Sequence, residues 1–295
     1  MLVGMSSSDN KKAIQNQELA ILSTEQATKL AIGGAKKLVD LLIAQRGHEK
    51  PPFSPEEFAG LQGISKIVGA DLGKTSAVLI RIRDGYLIKV NQNHHLVRRN
   101  FSCAHEIGHI MLKELKLEHY IQNIEYRTFN PEGEKKAHAR IRERLCDVIA
   151  TELLMPERIF RDQASVMAFS IDVIERLARI FQVSVQAAAI RIAEVSAEPC
   201  VALLWQVRPR TKTKSLKLVW SAGPGVRTVN KFQYTLVNPN AQYTSAVQRA
   251  YESAEVTECY RLFRCGVQTY RLRMESKGFG YDENRFVMSL AFAQV

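Results

Sequence analysis

Five cysteines, an odd number with no C-x-x-C pair among them, exclude a disulfide framework and suit a reducing compartment. No apolar run approaches the roughly 20 residues that a bilayer span needs. The opening MLVGMSSSDNKK is too polar for the core of a signal peptide. A cytoplasmic protein with no membrane partner is therefore expected. With 46% hydrophobic and 24% charged residues, the composition is neither membrane-like nor disordered, and there is no internal repeat or low-complexity tract.

What is present is more than one core usually occupies. A chain of 295 residues points to two domains, or to one with a substantial appendage. Charge is uneven: residues 200–295 hold fourteen Lys/Arg against six Asp/Glu, a net +8 of the total +11. An acidic partner would meet this last third, where Arg208, Arg210, Lys212 and Lys214 alternate. Such a run is also what a solvated hairpin carries.

Residues 1–22 form a polar lead-in. Ser23-Thr-Glu-Gln26 is a capping box ahead of Leu30, Leu38, Leu41 and Leu42 at helical spacing. Ser54-Pro-Glu-Glu57 opens a short second helix. Strand-like runs at 77–82 and 86–90 flank Asp84-Gly85, predicting a hairpin. A nearly all-round apolar helix over 101–115 belongs in the middle of a domain. The polar stretch 116–135 reads as a loop or lid, and a long helix over 136–154 ends before Pro156. Two helices within 170–195 join at Gln182-Val183-Ser184, with Ser184 able to cap the second. From Pro199 the texture is mainly strand, with one helix near 241–254, so the fold class is α+β throughout.

The sharpest feature is His105-Glu-Ile-Gly-His109. Residues four apart share a helix face, so both imidazoles can reach one ion. A longer motif would need glycine at 112 and histidine at 115, and Leu112 and Leu115 exclude it. The third ligand is best sought at Glu143, on the long helix beside the apolar run Ile141, Leu145 and Ile149, where a carboxylate needs a positive partner. Zinc would supply that charge, and two imidazoles with one carboxylate leave a corner for water. The bland alternative pairs Glu143 with Arg140 or Lys136. His138 and Cys146 are rival ligands of lower rank. Asp147 can orient an imidazole through its second nitrogen.

Such an ion lowers the pKa of water and polarises a scissile carbonyl, with Glu106 as the base that takes the water proton. Gly108 costs up to about 1 kcal/mol within a helix, which points to close approach by a neighbour. Tyr120, Tyr126 and His138 are candidate oxyanion donors.

RRNFSCAHEIGHIML followed by ERLCDVIATELLMPERIF resembles the ImmA/IrrE family of metallopeptidases, from about Gly85 to Phe160 and more weakly near 177–193. The resemblance implies one Zn2+ per chain at His105, His109 and Glu143, other divalent ions being alternatives, with Glu106 catalytic. It implies a mainly helical, gluzincin-like peptidase domain with a small β-sheet at 23–160. A helix-turn-helix-like hairpin at 161–198 and a GAF-like sensor domain at 199–295 follow. The implied partner is a helix-turn-helix repressor, cleaved to induce stress-response or mobile-element genes, with a small-molecule or redox signal at the C-terminal domain. Cys259 and Cys265 are the candidate redox thiols there. The alternative is a DNA-binding regulator with a structural metal, for which only Gln186 and Arg191 are available to read bases. The chain departs from the family at Leu145, Cys146 and Ile149, where Glu, Ala and Phe are frequent.

Overall fold

Helix α1 (Thr24–Arg46) begins where the capping box places it: the Ser23 side chain accepts from the Gln26 N–H at 3.2 Å, and the Gln26 side chain accepts from the Ser23 N–H at 2.6 Å. Its core stripe differs from the leucine spacing. Ala27, Ala31 and Ala35 are buried with Leu38 and Leu42, whereas Leu30 and Leu41 are 47% and 59% exposed. Small side chains at successive turns let α1 lie close against α5 (Pro131–Leu154). At its end, both carboxylate oxygens of Glu57 take the Arg46 guanidinium. The same carboxylate accepts from the Ser54 N–H at 3.0 Å, starting α2 (Pro55–Leu61).

The computed structural model describes residues 23–122, 131–196, 200–207, 216–223, 235–236, 244–265 and 267–293. They fall into two units, one ending at Leu154 and one beginning at Met155. No helix among the described residues is long and apolar enough to cross a membrane.

In the first unit, β1 (Ile64–Ala70), β2 (Ala77–Ile82) and β3 (Gly85–Asn91) form a sheet in the order β1-β3-β2. The hairpin is antiparallel with Ile82 opposite Gly85, and β1 runs parallel to β3. Only glycine fits at 85: φ is +134°, and a Cβ there would stand 2.3 Å from the Gly63 carbonyl oxygen. Against this sheet packs α3 (Leu96–Glu114), which starts ahead of residue 101 and buries Cys103, Ala104, Ile107, Ile110, Met111 and Leu112. The stretch read as a loop contains a short helix, α4 (Leu117–Gln122), and α5 begins at Pro131, not 136. Residues 123–130 lie outside the described ones.

The second unit opens with α6 (Glu157–Ser165), then α7 (Ile171–Phe181) and α8 (Val185–Val195). Ser184 caps α8 by accepting from the Ala187 N–H at 3.1 Å. A six-stranded antiparallel sheet follows: β4 (Cys200–Val207), β5 (Leu216–Ala222), β6 (Thr235–Leu236), β7 (Thr257–Cys265), β8 (Gln268–Phe279) and β9 (Phe286–Phe292), in the order β5-β4-β9-β8-β7-β6. Helix α9 (Thr244–Ser253) covers one face, where Val247 and Ala250 join Leu203, Trp205, Phe263, Met274 and Val287 in the core. Buried polar groups there are satisfied: the Trp205 indole N–H donates to Ser289 Oγ at 2.9 Å, and Ser289 Oγ lies 2.7 Å from Ser276 Oγ.

Helix α7 is tied to the sheet by charge. The Ser170 side chain makes no cap bond; instead buried Glu275, on β8, accepts from the Ile171 N–H at 2.9 Å. Lys277 Nζ meets Asp172 and Glu175 in the first turns of α7, each at 2.8 Å. Glu275→Ala should therefore leave a helix-terminal N–H unsatisfied and lower the unfolding free energy by about 1–3 kcal/mol in urea titrations. Ser170→Ala should change it by less than about 0.5 kcal/mol.

Candidate metal centre

Helices α3 and α5 cross where α3 has no side chain, at Gly108, against Cys146 of α5. A Cβ on Gly108 would sit 3.0 Å from Cys146 Cα and 3.1 Å from its carbonyl oxygen. The glycine in the middle of α3 is thus explained by the close passage of α5. The approach brings the exposed ends of His105 and His109 up to one face of α5.

His105 and His109 lie one turn apart, their rings 5.0 Å between centroids and edge to face. Nε2 of His105 is 3.1 Å from Glu143 Oε2, and Nε2 of His109 is 4.0 Å from Glu143 Oε1. One carboxylate thus reaches both rings, although the Glu143 side chain is 50% exposed. The cation on its outer side is Arg142, at 3.6 Å, and not Arg140 or Lys136. The second nitrogens turn the other way: His105 Nδ1 is 2.8 Å from Asp147 Oδ1, and His109 Nδ1 is 3.3 Å from Cys146 Sγ. Counted by distance alone among the described residues, the donor atoms of His105, His109 and Cys146 form a group within 4.8 Å of one another.

Of the side chains that lie together here, the sequence points to His105, His109, Glu143, Cys146 and Asp147 but not to Arg142, and not to how they divide the four ring nitrogens. A second contact was also not legible. The Glu106 carboxylate accepts a hydrogen bond from the Leu79 backbone on β2, and the only hint is that the hairpin directly precedes α3. His138 sits half-buried on α5, while Tyr126 and the Tyr120 side chain lie outside the described residues.

Electrostatics differ from ring to ring. Burial pulls His105 down, but the hydrogen bond to Asp147 and the charges of Asp147, Glu143 and Glu106 outweigh it, and its pKa is raised. His109 is lowered, by burial first and by His105 next. Glu106 is raised because burial outweighs the charge of His105 and the hydrogen bond from the Leu79 backbone. Burial also pushes Cys103 up to about 12, and burial with the charge of Glu143 pushes Cys146 well up.

In metal-free protein, NMR of the imidazole Cε1 protons should give His105 a titration midpoint above the ordinary 6.5 and His109 one below it. A raised histidine stabilises the fold fully below its unfolded value and loses that contribution as pH rises through the folded one. The stability lost in Asp147→Asn should accordingly be largest below pH 6.5 and shrink above it.

No curated protein matches this chain. Among solved structures, a Mycobacterium tuberculosis transcriptional regulator is similar over 92% of this chain and 82% of its own, at 14% identity and a TM-score of 0.55, a likeness of fold alone. Residues 65–193, which hold the hairpin, both histidines and Glu143, match the model of the peptidase M78 family, described as the IrrE N-terminal-like domain. Over that segment the chain is thus similar to the IrrE N-terminal-like domain.

Proposed function

We propose that the protein is a zinc-dependent endopeptidase with His105, His109 and Glu143 as ligands and Glu106 as the general base. The observation that carries this reading is the single Glu143 carboxylate turned to both Nε2 atoms. Donors bound to one zinc at about 2.0–2.2 Å stand roughly 3.3–3.6 Å apart in a tetrahedron, and the two Nε2-to-carboxylate separations, 3.1 and 4.0 Å, lie on either side of that range. The family match adds support. Cys146 is the weaker third ligand, because its sulfur faces His109 Nδ1, the ring edge away from Glu143.

A zinc ion held there supplies Lewis acidity toward a peptide carbonyl and a lowered pKa for water. The protein's own groups do the rest. Glu106, its carboxyl raised above the ordinary value by burial, takes a proton from the attacking water and returns it to the leaving amine. The Leu79 backbone on the hairpin favours the charged form of that carboxylate. Asp147 fixes the His105 ring and its tautomer. Half-exposed Glu143 and Arg142 leave the centre open on the side from which a polypeptide would arrive.

The proposed substrate is a helix-turn-helix repressor, and the second unit is the proposed GAF-like sensor. Its strand order and covering helix favour that reading, and a cavity of about 1040 Å³ bordered by Gln186, Gln206, Tyr251, Asn284 and Arg285 favours a small-molecule signal. A redox signal is less favoured, since burial raises the Cys259 thiol and the Cys265 side chain lies outside the described residues. The DNA-reading alternative is weakened at α8. None of its side chains is exposed, and buried Arg191 donates to the Met155 carbonyl at 3.0 Å. Residues 208–214, with the alternating basic run, lie outside the described ones.

Glu106→Gln should reduce cleavage of a co-encoded repressor roughly 10²–10⁴-fold while the purified protein keeps its zinc. Glu143→Ala should lose the metal. Undiminished cleavage by Glu106→Gln would remove that residue from its role.

A further inference from the structure

The proposed ligand set accounts for one nitrogen on each ring and leaves the other to be explained. A neutral imidazole that binds an ion through Nε2 carries its proton on Nδ1, and a buried N–H needs an acceptor. For His105 that acceptor is Asp147, at 2.8 Å. For His109 it is the sulfur of Cys146, at 3.3 Å.

We infer, on the basis of that ligand set, that Cys146 is a positioning residue: its sulfur accepts from His109 Nδ1–H and so holds the ring with Nε2 toward Glu143. Three features of the fold support this. Glu143, Cys146 and Asp147 stand three and four positions apart on α5, so one helix face presents a carboxylate to both Nε2 atoms and an acceptor to each Nδ1. Cys146 is fully buried, so water does not readily replace it as the partner. Its backbone is also wedged against Gly108, 3.0 Å from where a Cβ would stand, next in sequence to the histidine it serves.

The two partners are unequal. A carboxylate is a strong, charged acceptor, while a thiol sulfur is a weak one. His109 is accordingly the more loosely oriented of the two imidazoles. Cys146 touches neither substrate nor water in this account and acts only through His109.

The test uses the full chain, with cobalt(II) and zinc as probes and a chromophoric chelator as competitor. Cys146→Ser keeps an acceptor; Cys146→Val and Cys146→Ala remove it, and circular dichroism shows which variants fold. Wild type should bind one cobalt without a near-ultraviolet sulfur-to-cobalt charge-transfer band. Zinc binding should weaken about ten-fold in Cys146→Val or Cys146→Ala, the low end of the ~10–100-fold range for such partners. Cys146→Ser should recover most of it, and ¹⁵N shifts of zinc-loaded protein should show His109 protonated at Nδ1. Wild-type affinity in both apolar variants, or no recovery in Cys146→Ser, would overturn the positioning role while leaving the ligand set standing. A charge-transfer band that disappears in Cys146→Ser would overturn it by making sulfur a ligand. Unchanged cobalt binding by Glu143→Ala would instead mark the failure of the ligand set itself.

Discussion

The crossing of α3 and α5 at Gly108 and Cys146 sets everything else at this centre. Side chains on two helices meet at a single ion only if the helix axes come close, and closeness here depends on a residue with no Cβ facing the backbone and Cβ of Cys146. Leucine or valine at 108 would push the helices apart and carry Glu143 away from both rings, since overpacked helices shift and do not compress. The alanine stripe of α1 against α5 is the same device on the other side. Small residues position α5, and its charged face then follows from helical spacing.

That face explains why two chemically similar imidazoles are made different. Asp147 draws charge onto His105, whereas His109 has a neutral sulfur and a neighbouring imidazole for company. Glu106, one residue along from His105, points instead to the hairpin and takes its bond from Leu79. The small sheet thus borders the candidate site: β2 brings the Leu79 backbone to Glu106, and the turn at Gly85, closed tightly over Gly63, sets where β2 runs.

Much of this was legible in the sequence, for reasons that can be named. The capping box at Ser23 and the Ser54-Pro-Glu-Glu57 start are local signals, and both helices begin where those residues put them. The Asp84-Gly85 turn fixed the hairpin register. The convergence of His105, His109 and Glu143 could be anticipated because helical spacing is regular and a carboxylate beside an apolar run asks for a partner. Strand β1 has no legible signal because ISKIVGA is short and buries only Ile64, with no clean alternation. Leu30 and Leu41 face out although they share the helical spacing, because the close helix contact admits the smaller Ala27, Ala31 and Ala35 in their place. The Cys146–His109 and Leu79–Glu106 contacts depend on how separate elements pack, and no local pattern encodes that.

The account stands on one divalent ion being held by two Nε2 atoms and the Glu143 carboxylate. Anomalous diffraction from a zinc-loaded crystal, collected on both sides of the zinc edge, tests this most directly. A single peak about 2.0–2.2 Å from His105 Nε2, His109 Nε2 and a Glu143 oxygen is the predicted result. A peak between His109 Nδ1 and Cys146 Sγ, with Glu143 turned out to solvent, would contradict it.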